Sequence, residues 1–447
     1  MRSPQSKSST KAGVVPILRS DEAGFEAVFA KLCHRREVGA QDVEKAVRKI
    51  IDRVREGGDA ELLACVRKFD GAKIGALEVT REEWDRGVDS VDPADRAALG
   101  KAAMRVRDFH RKRIPSSWEV REEGGGVFGH RVRALHRVGI YVPGGKAVYP
   151  SSVIMNAVPA SVVEVPEILM ATPAQPDGWV RPDVLMAARV SGVHRVFKMG
   201  GAHAVAALAY GTETVPRVDK IVGPGNVYVA TAKRFVFGEV AIDSEAGPTE
   251  VLVVADKTAT PAWVAADLLS QAEHDEMACA VLVTPNRALA ARVQEQLVKQ
   301  LKTLERARIA KAALEAHGAI IVARSTAEAV DIANRLAPEH LELLVRNPRR
   351  WVGKVRSAGA IFLGPHAPEA FGDYLAGPNH VLPTGGTARF ASPLGVYDFV
   401  KRTSLIEAGP RTLRRLGPAV ARLARLEGLT AHGAAVERRL AAMGGRA

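Results

Sequence analysis

Short runs of apolar, often β-branched residues recur along this chain, and each is followed by a turn and then by a helix-like stretch. Near-continuous hydrophobic strands that alternate with helices are typical of parallel sheets covered by helices on both faces. The pattern therefore predicts an α/β fold with two doubly wound, largely parallel sheet domains. The runs span residues 137–145, 168–173, 195–200, 220–223, 251–256, 280–285, 319–323 and 360–364.

The segments that flank this repeat have a helical pattern. Apolar residues at helical spacing predict helices over 23–32, 40–69 and 93–110, with a break at Gly57–Gly58. After Leu394 the strand pattern stops, which predicts a small helical C-terminal domain. The predicted division is an N-terminal tail and helical arm at 1–38, a first α/β domain at 39–140 plus 250–394, a second α/β domain at 141–249, and the helical domain at 395–447.

Composition narrows the class of protein. A chain of 447 residues is too long for one ordinary core, so more than one domain is expected. No apolar run is long enough for a transmembrane span, and the first eleven residues lack the apolar stretch of a secretory signal. Three widely spaced cysteines without a Cys-x-x-Cys pair suit a reducing cytoplasm and exclude a zinc–cysteine cluster.

The net charge of +13 raises the question of a nucleic-acid partner. The excess is diffuse except in the C-terminal region, where arginines fall among leucines and alanines at helical spacing. No aromatic residues are interleaved there to stack on bases. We therefore expect a solvated helix face, with no nucleic-acid and no membrane partner.

Gln271 and His274 form the first candidate site, at the end of a helix that is predicted to begin at Thr260–Pro261. Residues three apart on a helix lie roughly 60° apart, close enough to serve one ion or ligand. A metal or substrate site is the hypothesis. On these residues alone, a histidine that interacts with the C-terminal helix dipole explains the pattern as well or better.

Other candidate site residues lie in segments rich in turn-forming residues. Glu339 and His340 follow Pro338 at a helix-to-strand corner, a suitable place for two acid–base groups, although an exposed loop pair is an equal alternative. Asp373 lies in a loop rich in Gly and Pro, and His432 lies in the helical tail.

Ligands in doubly wound folds sit beyond the carboxyl ends of strands. Three glycine turns follow predicted strands, and each could hold an anion or be a plain tight turn; they span 143–146, 200–203 and 223–226.

Six segments taken together resemble the signature segments of the histidinol dehydrogenase family, in the same order and at compatible spacing from about residue 20 to 440. They are Val138–Gly145, Lys220–Asn226, Leu269–His274, Ala337–Glu342, Gly372–Thr384 and Glu427–His432. The resemblance implies oxidation of L-histidinol to L-histidine in two NAD-dependent hydride steps, with one zinc per site. It also implies a homodimer in which the C-terminal tail completes the partner's site.

Carried over by position, the resemblance implies a role for each matching residue. The zinc ligands would be Gln271, His274, Asp373 and His432. The acid–base pair would be Glu339 and His340. The substrate pocket would be formed by Thr249, Gln271, His274, His340, Asp373, Glu427 and His432, with Glu427 receiving the substrate amine. NAD would contact Tyr141, His203 and Asn226. This chain departs from the family at His203, where glutamine is usual, and at Thr249, where serine is usual.

Three other functions remain open at this point. One is a related zinc- and NAD-dependent dehydrogenase acting on another amino alcohol or polyol, although Glu427 favours an ammonium substrate. A second is a non-enzymatic basic binding protein that has kept the fold. The third is a zinc hydrolase in which Glu339 activates water, which would leave the Tyr141 and Asn226 loops without a role.

Overall fold

The structure is a computed structural model that describes residues 13–33, 41–144, 149–244 and 247–444. The predicted tail at 1–11 and the second half of the predicted turn at 143–146 lie outside these ranges. The strands, in chain order, are β1 Ile17–Arg19, β2 Trp118–Arg121, β3 Val127–Ala134, β4 Arg137–Tyr141, β5 Glu167–Thr172, β6 Arg195–Lys198, β7 Lys220–Val222, β8 Ala241–Ile242, β9 Glu250–Ala255, β10 Cys279–Thr284, β11 Ala319–Val322, β12 His340–Leu344, β13 Ala360–Leu363 and β14 Val400–Glu407.

Helices connect and flank the strands. In chain order they are α1 Phe25–Cys33, α2 Gln41–Cys65, α3 Arg81–Asp89, α4 Pro93–Arg111, α5 Pro150–Val162, α6 Pro182–Ser191, α7 Gly201–Tyr210, α8 Val227–Val236, α9 Pro261–Ala272, α10 Arg287–Gln300, α11 Ala307–His317, α12 Thr326–Leu336, α13 Arg349–Val352, α14 Glu369–Tyr374, α15 Pro410–Leu426 and α16 Thr430–Gly444. The predicted break in α2 is present, because Gly58 has a non-helical φ of 52°. Among the described residues, no helix is both long enough and apolar enough to cross a membrane.

Two parallel sheets form the body of the molecule, which confirms the predicted α/β class. The first sheet has the order β1-β11-β10-β9-β12-β13, and the second has the order β6-β5-β4-β7-β8. Every strand pair in both sheets is parallel. Each sheet has an apolar core on both faces. In the first sheet, α9–α11 cover one face, and α1 with α12 cover the other. In the second sheet, α3–α6 cover one face, and α2 with α7 and α8 cover the other.

The packing of the N-terminal helices differs from the predicted division. Residues 39–140 were grouped with the first sheet, but α2, α3 and α4 share the cores of the second sheet. Val47 of α2, for example, belongs to the same core cluster as Leu169 of β5, and Val106 of α4 belongs to the same cluster as Ile140 of β4. Sequence periodicity shows which face of a helix is apolar, but both sheets offer apolar faces, so it does not show which sheet that face covers.

Five strands were missed by the sequence analysis: β1, β2, β3, β8 and β14. Two of them change the predicted description of the chain ends. The N-terminal arm is not only helical, because β1 pairs with β11 at the edge of the first sheet. The region after Leu394 is not only helical either, because β14 pairs antiparallel with β3 and completes a small sheet of order β14-β3-β2. β14 is exposed over seven of its eight residues and β1 is only three residues long, so neither shows the continuous apolar run that marks the predicted strands.

Candidate active site

The candidate active site lies at the amino ends of two adjacent strands of the first sheet, β9 and β12. These strands pair with His340 opposite Val251, so Thr249 and Glu250 lie beside Glu339 and His340. The strand order reverses at this pair. The chain continues from β9 outward to β10 and β11 in one direction, whereas β12 and β13 lie in the other direction. The expectation that ligand sites lie beyond carboxyl ends is therefore wrong for this site, since all four residues stand where strands begin.

Helix ends bring further side chains to the same edge. α9 follows β9 and runs back to the amino edge, where its last turn carries Gln271 and the chain beyond it carries His274. α12 ends at Ala337, whose φ of 51° is in the left-handed region, and Pro338 prevents further helix. The chain then turns directly into β12 and presents the acid–base pair at the strand start.

His340 is held in one tautomer. Its ring is almost fully buried, and Nδ1 lies 2.9 Å from the backbone oxygen of Glu250. A carbonyl oxygen can only accept, so Nδ1 carries the proton and Nε2 keeps its lone pair. Nε2 is buried without a hydrogen-bond partner among the described residues and lies 3.8 Å from Oδ1 of Asp373. Burial lowers the pKa of His340, so the ring is neutral at pH 7 and can accept a proton.

Glu339 is buried next to His340 and has two hydrogen bonds to its carboxyl oxygen Oε2. The Thr249 hydroxyl lies 2.7 Å from this oxygen, and the Glu250 N–H donates to it at 2.9 Å. Burial raises the pKa of Glu339 well above its ordinary value, although the Thr249 hydrogen bond opposes the rise. A raised pKa makes the carboxyl group a better proton acceptor than an ordinary glutamate, which suits an acid–base role.

Gln271 joins Glu339 to a further carboxyl group through Thr249. The Gln271 amide nitrogen lies 2.7 Å from both oxygens of Glu369, and its amide oxygen accepts from the Thr249 hydroxyl at 2.5 Å. The hydroxyl has one proton, so it donates either to Gln271 or to an ionised Glu339. When it donates to Gln271, a protonated Glu339 supplies the second hydrogen bond by donating to the hydroxyl. The chain of contacts fixes the orientation of an amide that is fully buried.

Asp373 and His274 complete the part of the site that this chain builds. Asp373 lies on α14, and its Oδ1 is 3.8 Å from His340 Nε2 and 3.9 Å from His380 Nδ1. Burial raises the pKa of Asp373, and the nearby His340 and His274 rings oppose that rise. His274 lies at the exposed rim, where the surrounding protein displaces enough water to lower its pKa.

Three further carboxyl groups lie near these residues: the buried Glu369 and Glu342 and the half-buried Asp267. Burial raises the pKa of Glu369 and of Glu342 well above the ordinary value, and it raises the pKa of Asp267 to about 6. One ligand atom each from His340, Glu369 and Asp373 lies within 4.8 Å of the others. A dry site with this many carboxyl groups is stabilised by a cation, and imidazole, carboxylate and amide oxygens are donors that divalent ions accept. The donor chemistry of this cluster therefore fits a cation. Asp373 is the member of the cluster that is also a zinc ligand in the set implied by the sequence resemblance.

The residues predicted to contact NAD lie at the carboxyl edge of the second sheet. Tyr141 ends β4, and its hydroxyl accepts from the Gly201 N–H at 3.1 Å. Asn226 caps α8, where its side-chain oxygen accepts from two backbone N–H groups of the first turn. His203 is fully buried in the first turn of α7. The strand order reverses between β4 and β7, which is where doubly wound sheets form a ligand crevice.

Glu427 and His432 are not brought to this site within one chain. Both are exposed on the hairpin formed by α15 and α16. That hairpin contacts the β2–β3 turn instead, through an ion pair between Arg415 and Glu122 and a hydrogen bond from the Thr412 hydroxyl to the Gly124 carbonyl. Two of the seven predicted substrate-pocket residues thus lie apart from the other five.

Sequence reasoning missed several groups that the structure places at the site. Glu369 contacts Gln271, Glu250 supplies the carbonyl that orients His340, and Nδ1 of His380 donates to the Asp373 backbone oxygen at 2.9 Å. Glu369 lies four residues before Asp373, so a search for carboxyl pairs at helical spacing would have found it. No local signal marks a backbone carbonyl as the orienting group.

The fold and the site define an α/β enzyme with a buried acid–base pair and residues suited to a metal ion. Residues 33–440 match the family model described as histidinol dehydrogenase. The chain belongs to the histidinol dehydrogenase family, as the sequence resemblance predicted. This membership makes it a dehydrogenase and hence an oxidoreductase.

Individual relatives agree over nearly the whole chain. The histidinol dehydrogenase of Syntrophotalea carbinolica is 53% identical over 426 residues, which cover 95% of this chain and 99% of that protein. The Nitrosomonas europaea protein of the same name is 51% identical over 425 residues, 94% of this chain and 98% of that protein. The crystal structure of histidinol dehydrogenase from Elizabethkingia anophelis superposes with a TM-score of 0.92 at 33% identity, covering 97% of this chain and all of that one.

Replacing Thr249 by valine would keep the side-chain shape and remove the hydroxyl that joins Gln271 to Glu339. We expect the metal-free Thr249→Val protein to lose about 1–3 kcal/mol of unfolding free energy, because buried polar groups lose a partner. Thr249→Ser keeps the hydroxyl and should lose less. Urea unfolding followed by tryptophan fluorescence measures both values, and a valine variant as stable as the parent would contradict the hydrogen-bond chain.

Proposed function

We propose that this protein oxidises L-histidinol to L-histidine in two successive NAD-dependent steps through the aldehyde, with one zinc ion per site, as the last reaction of histidine biosynthesis. Family membership supports the substrate class. The observation that carries the chemistry is the buried Nε2 of His340 beside Asp373, which has no hydrogen-bond partner in the described part of the chain. A neutral imidazole with a free lone pair is the group that an alcohol oxidation requires, since the hydroxyl proton must leave with the hydride.

The zinc ligands we propose are Gln271, His274 and Asp373 of one subunit with His432 of the other. When bound, zinc would hold the amine and imidazole of the substrate and polarise the oxygen at the reacting carbon. Glu369 hydrogen-bonds the Gln271 amide, which is how outer carboxylates commonly orient a ligand.

His340 acts in the first oxidation and Glu339 acts in the second. In the first, His340 Nε2 accepts the alcohol proton, while NAD is the hydride acceptor in both steps. In the second, water adds to the aldehyde, and Glu339 in its ionised form accepts a proton from that water. The Glu250 carbonyl keeps the His340 ring in the tautomer that the first step needs.

The cofactor crevice we propose lies between the ends of β4 and β7, with Tyr141 and Asn226 at its two sides. The Gly223–Asn226 turn approaches β4 closely, because a Cβ on Gly223 would lie 2.1 Å from the Tyr141 carbonyl oxygen. Glycine, whose φ here is +119°, therefore lets the β7–α8 turn line the crevice.

We further propose that the protein is a homodimer in which the C-terminal hairpin completes the partner's site. The hairpin exposes large apolar side chains at helical spacing, which favour burial against another subunit. These are Leu416, Val420, Leu423, Leu426 and Leu429. Glu427 and His432 lie on the same hairpin, so docking it on a partner would carry both to the buried cluster.

The direct test of the reaction is the amount of NADH formed per L-histidinol consumed, before and after metal removal with a chelator. We expect two NADH per substrate, loss of activity on chelation and recovery with zinc. His274→Ala and Asp373→Ala should lose bound zinc and activity together, whereas the exposed His136→Ala serves as a control that keeps both. Turnover of another amino alcohol or polyol without turnover of histidinol would contradict the proposed substrate.

Glu339→Gln should slow aldehyde oxidation far more than alcohol oxidation, because glutamine cannot accept a proton from water. A loss of about 10²–10⁴-fold in the aldehyde step is expected for removal of a general base. Because the pKa of Glu339 is raised, the parental aldehyde step should become faster as pH rises through that shifted pKa.

Stopped-flow measurement with histidinol and with the aldehyde separates the two rates. Glu342→Gln removes a similarly buried carboxyl group and should not discriminate between the steps. Equal loss of both steps in Glu339→Gln would contradict the assigned role.

Subunit mixing tests the shared site. In a heterodimer of Glu427→Ala and His340→Ala chains, one of the two sites has an intact body and an intact tail, so about half of the parental activity should return. A heterodimer of His340→Ala and Asp373→Ala chains has no intact site and should stay inactive. No recovery in purified heterodimers of the first kind would refute tail exchange.

A further inference from the structure

Asp70 is a buried carboxyl group with no role in the proposed reaction. It stands at the end of a π-helical turn, Val66–Asp70, that widens the C-terminus of α2 and is closed by Gly71 in the left-handed region. Single π-helical turns are rare and often re-aim a side chain at a functional position. This one directs Asp70 onto the turn between β6 and α7, where its side chain is 8% exposed.

Two hydrogen bonds join Asp70 to that turn. Oδ2 accepts from the Gly200 N–H at 2.9 Å and from Nε2 of His203 at 3.1 Å. A carboxylate beside Nε2 keeps the proton on that nitrogen. The Phe69 ring stacks on the imidazole with centroids 6.0 Å apart, so His203 is held by a hydrogen bond and by a ring face.

The first amides of α7 are therefore occupied by side chains of this protein. Asp70 takes the Gly200 N–H, and the Tyr141 hydroxyl takes the Gly201 N–H at 3.1 Å. A helix N-terminus favours negative charge, and a cofactor phosphate often fills that place. Here the Asp70 carboxylate fills it, so the first amides of the turn are hydrogen-bonded within the protein.

The neighbouring turn after β7 is held in the same way. Its first amide, Gly223 N–H, donates to Asp243 at 2.8 Å, and the fully buried Lys233 donates to the Gly223 carbonyl at 2.9 Å while pairing with Asp243. Both turns that border the proposed crevice thus depend on a buried aspartate that binds the first glycine and a second side chain.

We infer that Asp70 and His203 are positioning residues for the dinucleotide: they set the β6–α7 turn against which the cofactor binds, and His203 acts through Asp70 and not by contact with NAD. This inference rests on the proposed NAD-dependent function. Because the pair lies on the second sheet, it should govern cofactor affinity and leave the chemical step on the first sheet unchanged. Glutamine at position 203 can donate an amide hydrogen to Asp70 and should replace histidine.

The test uses the zinc-loaded full chain and its Asp70→Asn, His203→Leu and His203→Gln variants. Calorimetry gives the Kd for NAD without turnover, and steady-state kinetics give KM for NAD and kcat. We expect Asp70→Asn and His203→Leu to raise Kd and KM for NAD about tenfold, with kcat at saturating NAD within about twofold of the parent. His203→Gln should bind NAD within about twofold of the parent.

Glu167→Gln is the matched control. Glu167 pairs with Arg137 at 2.5 Å at the amino edge of the same sheet, so this variant loses a paired carboxylate away from the crevice and should keep the parental Kd. An Asp70→Asn protein that binds NAD like the parent would overturn the inference, as would a His203→Gln protein as weak as His203→Leu.

The experiments distinguish a failure of the proposed reaction from a failure of the inference about Asp70 and His203. A parent that binds NAD but does not oxidise histidinol refutes the substrate, while the Kd series still decides the roles of Asp70 and His203. A parent that binds no NAD overturns the inference together with the cofactor assignment.

Discussion

The parallel pairing of β9 with β12 is the constraint on which the site depends. It aligns two strand starts that are about ninety residues apart in sequence, so that the Glu250 carbonyl meets His340 Nδ1 and the Glu250 N–H meets Glu339. A slip of one residue in this register would turn both acid–base side chains to the opposite face. The sheet core thus fixes the catalytic tautomer as well as the positions of the side chains.

The free-energy cost of burying negative charge explains why a site rich in carboxyl groups suits cationic ligands. Burying a carboxyl group without a cation is unfavourable, and the raised pKa values of Glu339, Glu342, Glu369 and Asp373 record that cost. A divalent cation and an ammonium substrate would both relieve it. The same burial that disfavours unpaired negative charge therefore favours a cationic ligand, which agrees with the proposed zinc and histidinol.

The two sheets divide the work of the proposed enzyme. The first presents the Glu339–His340 pair and the proposed metal ligands at its amino edge, whereas the second presents two glycine turns at its carboxyl edge. Buried aspartates hold both turns, which means that the cofactor side of the molecule is shaped mainly by internal hydrogen bonds. The departure at His203 is compatible with this arrangement because Asp70 gives the imidazole a partner.

By itself the sequence determined the fold class, nearly all the buried strands and the family. These features follow from patterns among residues close together in the sequence, namely continuous apolar runs, helical periodicity, and contiguous motifs such as Leu269–His274. It did not reveal β1, β2, β3, β8 or β14, none of which is a continuous buried apolar run, or the sheet that α2–α4 cover.

Only the tertiary structure decided that the site lies at an amino edge, that Glu369 and the Glu250 carbonyl belong to it, and that Glu427 and His432 lie apart from it. The reason is that strand register and burial join residues distant in the chain, and neither is encoded in the spacing of any single segment.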